Sequence, residues 1–282
     1  MNKIVYKEQL SNDIYKIIIQ APLIAEARKP GQFVILQDGG DFGERIPLTI
    51  ADADTEKGTI TLIIQASGES TMLLTSKEVG DSYDNVLGPL GNPTELDNYG
   101  KVLCVGGGVG VAPMYPIAKA LHNMGNEVKI IMGARNKDLF VMKDEMRAIA
   151  DELILITDDG SSGRKGLVTE PLKELCEEWK PDVVFIIGPP IMMKFCALTT
   201  KPFGIKSYAS LNTIMIDGTG MCGGCRVSIG DDTKFVCVDG PEFDAHKVDW
   251  NNMLTRLGTY KGIETEKKQE CLCELKQKNE AR

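Results

Sequence analysis

Short segments that alternate apolar and polar residues fill the first third of the chain, up to about residue 97. Pro, Gly, Asp and Asn separate these segments, and such residues favour turns. Alternation with a period of two is the pattern of a strand with one buried face. We therefore expect an antiparallel barrel or sandwich, built from the segments IVYKEQL, IYKIIIQA, GQFVILQD, IPLTIAD and GTITLIIQA.

The pattern changes after residue 100. Continuous apolar runs such as VLCVGG, VKIIMGA and VVFII now alternate with amphipathic stretches. Such runs are typical of parallel strands that helices cover on both faces. We expect a barrel at residues 1–97 and a doubly wound, parallel-sheet α/β nucleotide domain at residues 98–205. Residues 206–249 are rich in Gly and Cys and form a small third unit, and residues 250–282 form a polar tail of uncertain order.

The composition is that of a folded protein with about two domains or more. The chain has 282 residues, of which 43% are hydrophobic and 26% charged. Its formal net charge of −8 argues against nucleic acid as a partner, because binding to phosphates needs a basic face. The first residues lack the apolar core of a signal peptide, and no segment approaches the roughly 20 apolar residues of a membrane span. We expect a cytoplasmic protein with no membrane partner and with reduced thiols.

A glycine-rich turn joins a buried strand to a helix in VLCVGGGVGVAP. Glycine allows the backbone to approach a pyrophosphate, and a helix N-terminus offers unpaired N–H groups to it. The turn departs from the G-x-G-x-x-G fingerprint, because Val111 and Ala112 stand where the last glycine packs the helix on the strand. Dinucleotide binding is the prediction, and a tight turn without a ligand is the alternative. The glycines are Gly106, Gly107, Gly108 and Gly110.

Two later segments follow buried strands, where doubly wound folds bind their ligands. Asp158 and Asp159 come after LILIT, and Gly188 comes after VVFII. The carboxylates can accept hydrogen bonds from ribose hydroxyls, although capping of a helix is the alternative. They would repel the 2′-phosphate of NADP, whereas Arg135 could bind it. The residues alone therefore leave the choice between NAD and NADP open.

A strand-rich domain followed by GGGVGVAP, DDGSSG and GPPIMM resembles the ferredoxin-NADP reductase-like flavoproteins over residues 3–205. The resemblance implies FAD on the barrel and a nicotinamide nucleotide on the second domain. It implies Arg45 as a phosphate partner, although the family arginine stands three positions before Ser or Thr and Arg45 stands four before Thr49. The flavin contacts that it implies are Arg45, Pro47, Leu48, Thr49, Gln65, Gly68, Ser70 and Thr71. The nucleotide contacts are Gly106, Gly107, Gly108, Gly110, Ala112, Pro113, Asp158 and Gly188.

Three cysteines cluster in DGTGMCGGCRV and FVCVDG. Here the chain is similar to electron-transfer subunits of dihydroorotate dehydrogenase and their relatives, which append a [2Fe-2S] domain. Plant-type cluster spacing begins C-x4-C-x2-C, and an aspartate stands at the first of these positions. We expect the cluster ligands to be Asp217, Cys222, Cys225 and Cys237. Two alternatives stay open: a zinc ion on the same donors, or an Asp217 that only solvates the loop while another group completes the site.

The remaining thiols and imidazoles are expected to have no role in the chemistry. Buried hydrophobic packing is predicted for Cys104, Cys176 and Cys196, and positions in the polar tail for Cys271 and Cys273. The two histidines, His122 and His246, are predicted at the surface. No side chain is expected to act as a catalytic acid or base.

The aspartate at the cluster, the RIPLTIAD form of the flavin segment and the extended tail resemble the small subunits of NADH-dependent reduced ferredoxin:NADP oxidoreductases. That resemblance implies a hydride exchange between NAD(H) and FAD, followed by single-electron transfer through [2Fe-2S] to a larger iron-sulfur flavoprotein subunit. The assembly would bifurcate electrons between ferredoxin and NADP. An electron-transfer subunit of NAD-dependent dihydroorotate dehydrogenase is the alternative. A zinc-stabilised nucleotide-binding regulator, which would contain no iron, is a third interpretation.

Overall fold

The computed structural model describes residues 2–40 and 43–280, with side chains up to residue 271. Within this part, seven strands near the N-terminus form two antiparallel sheets. They are β1 (Ile4–Ser11), β2 (Ile14–Gln20), β3 (Phe33–Gln37), β4 (Arg45–Thr49), β5 (Asp52–Asp54), β6 (Thr59–Gln65) and β7 (Asn85–Leu90). The strand orders are β1-β2-β6-β5 and β4-β3-β7. Two short helices, α1 (Pro22–Ala27) and α2 (Glu69–Ser76), lie in the connections. The expected antiparallel barrel is confirmed.

The alternating residues of the barrel strands form its core. Ile17 and Ile19 on β2 face inwards together with Leu62 on β6, and all three are fully buried. Burial of a side chain of this size contributes about 1.5–3 kcal/mol. The sheet therefore closes around the residues that the period-two pattern marks as apolar.

A seven-stranded sheet follows among the described residues, in the order β11-β10-β9-β8-β12-β13-β16. Its strands are β8 (Lys101–Gly107), β9 (Glu127–Ala134), β10 (Glu152–Thr157), β11 (Arg164–Lys165), β12 (Val183–Ile187), β13 (Lys206–Ser210) and β16 (Glu242–Asp244). All pairs are parallel except β13 with β16. The helices α3 (Val111–Asn123), α4 (Lys143–Ile149), α5 (Thr169–Glu178) and α6 (Pro190–Thr200) connect the strands. The predicted doubly wound architecture is confirmed.

The last two strands of this sheet come from beyond residue 205, where the pattern places the end of the nucleotide domain. The sequence of β13, KSYAS, alternates buried and partly exposed residues, so it lacks the continuous apolar run that marks the other parallel strands. β16 is three residues long. Both strands lie near an edge of the sheet, where one face has less cover, and their sequences are correspondingly polar.

The cysteine-rich unit contains β14 (Arg226–Ile229), β15 (Asp232–Phe235) and α7 (Val236–Asp239), and the helices α8 (Trp250–Leu257) and α9 (Lys261–Glu280) follow. The residues of α8 are not part of a loose tail, because Trp250 and Met253 are buried and the helix packs on α6 and β14. α9 contacts α2 on the barrel. Cys271 is buried in α9, and the side chain of Cys273 lies outside the described residues.

The other cysteines and the histidines differ in how well their predictions hold. Cys104, Cys176 and Cys196 are buried as expected. The side chain of His246 is partly buried, and its Nε2 lies 2.8 Å from the Thr200 hydroxyl. Burial lowers the pKa of His246. The imidazole of His122 is also partly enclosed, with Nδ1 shielded from solvent.

None of the described helices combines the length and the apolar character needed to cross a bilayer.

Candidate nucleotide and iron-sulfur site

A cavity of about 940 Å³ opens between the barrel and the seven-stranded sheet. This volume lies within the range of pockets that bind cofactors, roughly 300–1,000 Å³. Its wall on the barrel side includes Phe33 and Ile63, and its opposite wall follows the carboxyl ends of the parallel strands. The cavity brings together these predicted residues: Pro47, Leu48, Thr49, Gln65, Gly107, Gly108, Gly110, Ala112, Pro113, Asp158 and Gly188.

The glycines of the phosphate turn have two different roles. A side chain at Gly110 would place its Cβ 2.7 Å from the Cα of Gly188, so the two loops at the sheet edge approach too closely for a side chain. A Cβ at Gly106 would lie 2.6 Å from the Cε of Met114 on α3. Gly106 thus provides the close contact of strand and helix that the last glycine gives in the usual fingerprint, and it does not line the cavity.

The two aspartates after β10 also differ. Asp159 Oδ1 accepts hydrogen bonds from the Ser161 N–H at 2.9 Å and the Ser161 hydroxyl at 2.6 Å. These bonds hold the pKa of Asp159 below its ordinary value. Asp159 therefore stabilises its own polar loop and is not directed at a ribose. Asp158 lines the cavity instead, and so does Arg135 at the end of the neighbouring strand β9.

Four of the predicted flavin contacts, Arg45, Gly68, Ser70 and Thr71, lie outside the cavity lining. Arg45 is exposed on β4, and the Ser70 hydroxyl donates a hydrogen bond to the carboxylate of Glu44. Thr71 Oγ1 accepts hydrogen bonds from the N–H groups of Ser67 and Gly68, each at 3.0 Å, and so stabilises the start of α2. The contacts of Arg45, Gly68, Ser70 and Thr71 with a flavin nucleotide stay predictions.

One wall of the cavity consists of residues that the sequence analysis does not single out. They begin at the last residue of β13, and they are Ser210, Leu211, Asn212, Thr213 and Met215, joined by Pro241. The sequence contains a sign of this wall, because SLNT brings three polar residues to the end of a strand, as TDD does at the end of β10. The Thr213 hydroxyl donates to the Cys225 carbonyl at 3.4 Å, so this wall continues into the cysteine loop.

The cysteine loop packs against the barrel through a glycine. Gly218 has a φ of +76°, and a Cβ there would lie 2.8 Å from Cγ1 of Ile35 on β3. A left-handed backbone and this close contact both favour glycine. The loop therefore lies against the same sheet that provides the cavity residues Pro47 and Leu48.

Two of the three cysteines of the loop lie side by side, and the third is at the surface. Cys225 and Cys237 are buried with their Sγ atoms 3.2 Å apart, while Cys222 is exposed. The Gly224 N–H points to Cys222 Sγ at 3.3 Å, and the Cys237 N–H points to Cys225 Sγ at 3.4 Å. Backbone N–H groups directed at sulfur stabilise the thiolates that bind iron-sulfur clusters.

The carboxylate of Asp217 lies beside Cys222. Asp217 Oδ2 accepts from the Cys222 N–H at 2.8 Å, and Oδ1 accepts from the Thr219 N–H at 2.6 Å. Hydrogen bonds from Cys222, which have the larger effect, and from Thr219 hold the pKa of Asp217 well below its usual range. Each oxygen keeps a further lone pair, so the carboxylate can order the loop and still bind iron.

The four donors form two pairs, Asp217 with Cys222 and Cys225 with Cys237. A [2Fe-2S] cluster has two irons, each of which takes two protein ligands. In the described part of the chain, no three such side chains converge on one point as a single metal ion requires. The two pairs of donors match the two protein ligands that each iron of a binuclear cluster needs.

Comparisons with known proteins agree with this arrangement. A sequence profile of the iron-sulfur cluster binding domain of dihydroorotate dehydrogenase B matches residues 212–249. A profile of the oxidoreductase NAD-binding domain matches residues 104–197. The expected NAD-binding and iron-sulfur domains are confirmed.

Relatives match nearly the whole chain. The dihydroorotate dehydrogenase B (NAD(+)) electron transfer subunit homolog of Thermotoga maritima is 48% identical over 93% of this chain and 92% of its own. The electron transfer subunit of that enzyme from Geobacillus thermodenitrificans is 36% identical, over 87% of this chain and 96% of its own. A chain from the structure of an NADH-dependent reduced ferredoxin-NADP oxidoreductase, described in relation to flavin-based electron bifurcation, is 46% identical. It superposes with a TM-score of 0.91 over 96% of this chain and 98% of that one.

Proposed function

The chain belongs to the family of dihydroorotate dehydrogenase B electron transfer subunits, and from this premise we propose that it passes electrons between NAD(H) and a larger iron-sulfur flavoprotein subunit. FAD on the barrel would supply the conversion of a two-electron hydride into single electrons. The cavity that joins the barrel to the carboxyl ends of the parallel strands supports this proposal, because the barrel residues Pro47 to Thr49 and the nucleotide turn line the same space.

The residues of the cavity bind and orient the two cofactors. The turn from Gly107 to Pro113 offers N–H groups to the pyrophosphate of the nicotinamide nucleotide. Asp158 accepts hydrogen bonds from ribose hydroxyls and repels a 2′-phosphate, so NAD(H) is the expected nucleotide. Pro47, Leu48 and Thr49 provide a wall for the isoalloxazine. None of these side chains needs to exchange a proton with the nucleotide.

Electrons would leave at the exposed edge of the cysteine loop. Exposed apolar side chains lie on and beside the loop there: Ile216 is 61% exposed, Met221 90% and Val238 42%. A Cβ on Gly224 would lie 3.5 Å from both Cys222 Sγ and Ile216, and one on Gly220 would lie 3.1 Å from Val238. We call these three residues the apolar collar. Exposed apolar groups around a redox ligand mark the contact surface for a partner, so the larger subunit docks on the collar.

Two likenesses bear on the identity of that subunit. The 46% identity and TM-score of 0.91 with the ferredoxin-NADP oxidoreductase chain favour a bifurcating assembly, in which the larger subunit acts on ferredoxin and NADP. The 48% and 36% identities with a dihydroorotate dehydrogenase B electron transfer subunit homolog and with a subunit of that enzyme make dihydroorotate dehydrogenase the second candidate.

Purification of the chain from its own cells, with its partner, tests both proposals. Visible absorption with flavin bands and broad iron-sulfur bands is expected. A larger co-purified subunit with iron-sulfur centres and flavin supports the bifurcating assembly, whereas an FMN-containing barrel enzyme supports dihydroorotate dehydrogenase. A colourless protein that contains zinc after anaerobic preparation would refute both.

The apolar collar is tested separately by Met221→Lys, which places a charge in a surface that must lose its water on docking. We expect the affinity for the larger subunit to fall at least tenfold, about 1.4 kcal/mol, with the flavin and cluster spectra unchanged. Leu23→Lys on α1 is the control, because Leu23 is also highly exposed but lies on the barrel. Equal affinity of both variants and the unmodified chain, measured by calorimetry, would place the docking surface elsewhere.

A further inference from the structure

A partly buried carboxyl group lies beside the cavity, where the seven-stranded sheet meets the barrel. Glu242 on β16 pairs directly with Ser210 on β13, and Ser210 lines the cavity. Residues that stand opposite each other in a ladder project to the same face of the sheet, with Cβ atoms about 5 Å apart. The Glu242 side chain is therefore next to the cavity wall.

The same face continues towards the nucleotide turn. Gly106 on β8 pairs with Ile187 on β12. Ile186 on β12 pairs with Ala209 on β13, so the next residues of these two parallel strands, Ile187 and Ser210, also lie side by side. Ile187 lines the cavity as well. Glu242 thus ends a row of residues that crosses the sheet below the predicted nicotinamide end of the cavity.

Uncharged groups of the barrel and its linker enclose the carboxyl. The Thr94 hydroxyl donates to Glu242 Oε1 at 2.8 Å, and the Thr94 N–H donates to the Pro30 carbonyl at 2.9 Å. A Cβ at Gly31 would lie 2.3 Å from Thr94 Oγ1 and 3.3 Å from Glu242 Oε1. From the sheet, the titratable neighbour is the buried thiol of Cys104 on β8.

This environment suits a group that binds and releases a proton near neutral pH. Burial raises the pKa of Glu242 to about 7, and the hydrogen bond from Thr94 opposes the rise because it stabilises the carboxylate. No cation contributes to this balance among the described residues that act on Glu242. The carboxyl can therefore exist in both forms at physiological pH.

The proposed electron transfer leaves a proton in the cavity. A hydride carries two electrons and one hydrogen nucleus, so when both electrons depart singly the balance is NADH → NAD⁺ + H⁺ + 2 e⁻. The ionisable side chains among the described residues that line the cavity are Asp158 and Arg135. Both lie at the ribose end, away from the wall formed by Ser210 and Pro241.

We propose that the Glu242 carboxylate accepts this proton through the Ser210 hydroxyl and returns it to solvent, an inference that rests on the proposed function. The O–H bond forms at Glu242 Oε2, since Oε1 accepts the hydrogen bond from Thr94. The O–H bond of Ser210 breaks in the same step, and the Ser210 oxygen takes up the proton that the flavin would release on reoxidation. The two electrons go to the larger iron-sulfur flavoprotein. Glu242 is thus the proton-holding residue of the reaction, although it need not touch either cofactor.

Glu242→Gln tests the proposal with little structural change, since the amide oxygen can still accept from Thr94. Infrared titration of the unmodified protein is expected to show a protonated carboxyl band that disappears as pH rises through about 7, and E242Q is expected to lack it. The protein is reduced with NADH and then reoxidised with ferricyanide. At pH 8 this reoxidation is expected to be about tenfold slower in E242Q than in the unmodified protein, and the reoxidation rate of E242Q should no longer increase with pH. The exposed Glu95→Gln, next to Thr94 in the chain, is the matched control and should behave as the unmodified protein does.

Thr94→Val provides a second test, because loss of the hydroxyl destabilises the carboxylate. The infrared transition and the rise in reoxidation rate should both move to higher pH in T94V. If the unmodified protein shows no carboxyl band near pH 7, or if E242Q keeps the pH profile, the role of Glu242 is refuted while the proposed function stands. If the purified protein contains neither flavin nor iron, the proposed function itself fails.

Discussion

The two ends of the iron-binding loop differ in chemistry at the level of single residues. Cys225 and Cys237 are buried, whereas Cys222 is exposed and Asp217 lies next to it. A carboxylate oxygen is a harder donor than a thiolate and gives less electron density to iron. The iron held by Asp217 and Cys222 would therefore be the easier one to reduce, and it would be the one nearer to solvent.

Asp217→Cys is expected to retain the cluster and to lower its reduction potential by on the order of tens of millivolts. Replacement of thiolates by other ligands raises cluster potentials, so the reverse change should lower them. Redox titration followed by EPR measures the effect. Asp232→Asn, an exposed aspartate on β15, should leave potential and signal unchanged. An unaltered potential in D217C would show that Asp217 does not bind iron.

Gly110→Ala is expected to weaken nucleotide binding. The added Cβ would lie 2.7 Å from Gly188 Cα and from the Ile187 carbonyl oxygen, so the two loops must separate. A loss of about tenfold in NADH affinity, or about 1.4 kcal/mol, is expected, with intact flavin and cluster absorption. NADH titration measures it. Gly262→Ala is the control, since nothing lies within 4 Å of that Cβ, and equal losses in both variants would contradict the explanation.

At the level of elements, α8 holds the iron-binding loop in place. Trp250 and Met253 anchor the helix in the core, and the indole N–H of Trp250 donates to the Ala245 carbonyl at 3.0 Å. Near the other end of the helix, Arg256 Nη2 donates to the Gly224 carbonyl at 3.0 Å. The helix thus connects the buried core with the backbone between Cys222 and Cys225.

Arg256→Ala is expected to make the cluster more labile, because it removes a charge-assisted hydrogen bond worth roughly 1.5–3 kcal/mol. Loss of the iron-sulfur absorption in the presence of a chelator should become about tenfold faster, while flavin content stays the same. Arg147→Ala on α4, an exposed arginine in a surface ion pair, provides the comparison. Identical rates in the two variants would exclude a role of α8 in holding the loop.

Which elements the sequence predicts depends on their surroundings. Strands covered on both faces, such as β12, are apolar throughout, and the second half of β2 alternates buried and partly exposed residues. β13 and β16 lie near a sheet edge, and they are too short and too polar to stand out in the sequence. The sequence pattern places α8 in a polar tail because its buried residues are few. The polar run after β13 marks part of the cavity, but only the sheet topology shows that it meets the barrel.

At the level of the whole molecule, Glu242 connects three parts of the chain. It belongs to β16, pairs with β13 and bonds to Thr94 in the linker between barrel and sheet. A second contact in the same region is the hydrogen bond from the Asn92 N–H to the Gly240 carbonyl at 2.7 Å. The orientation of the barrel relative to the sheet therefore depends on groups that follow the iron-binding loop.

The stability of the cofactor-free protein should consequently fall as pH rises. Burial raises the pKa of Glu242 from 4.5 to about 7, so between these values the folded chain holds a proton that the unfolded chain has released. The stabilisation that this proton gives to the folded state is complete below pH 4.5 and is lost as pH passes 7. The free energy of unfolding should therefore fall by about 3 kcal/mol across this range. Denaturant unfolding at several pH values measures it. E242Q should flatten this part of the profile, and parallel profiles for both proteins would contradict the prediction.

The strand β16 has one further consequence. After the chain has formed the iron-binding loop, it returns to add the last strand to the sheet that carries the nucleotide turn. A mobile cluster domain, which moves between its electron donor and its acceptor, would need a flexible linker at this place. Here the chain after the loop is instead hydrogen-bonded to β13 as a strand of the sheet. The fold therefore fixes the distance between the nicotinamide and the iron, and turnover should not slow in viscous solvent.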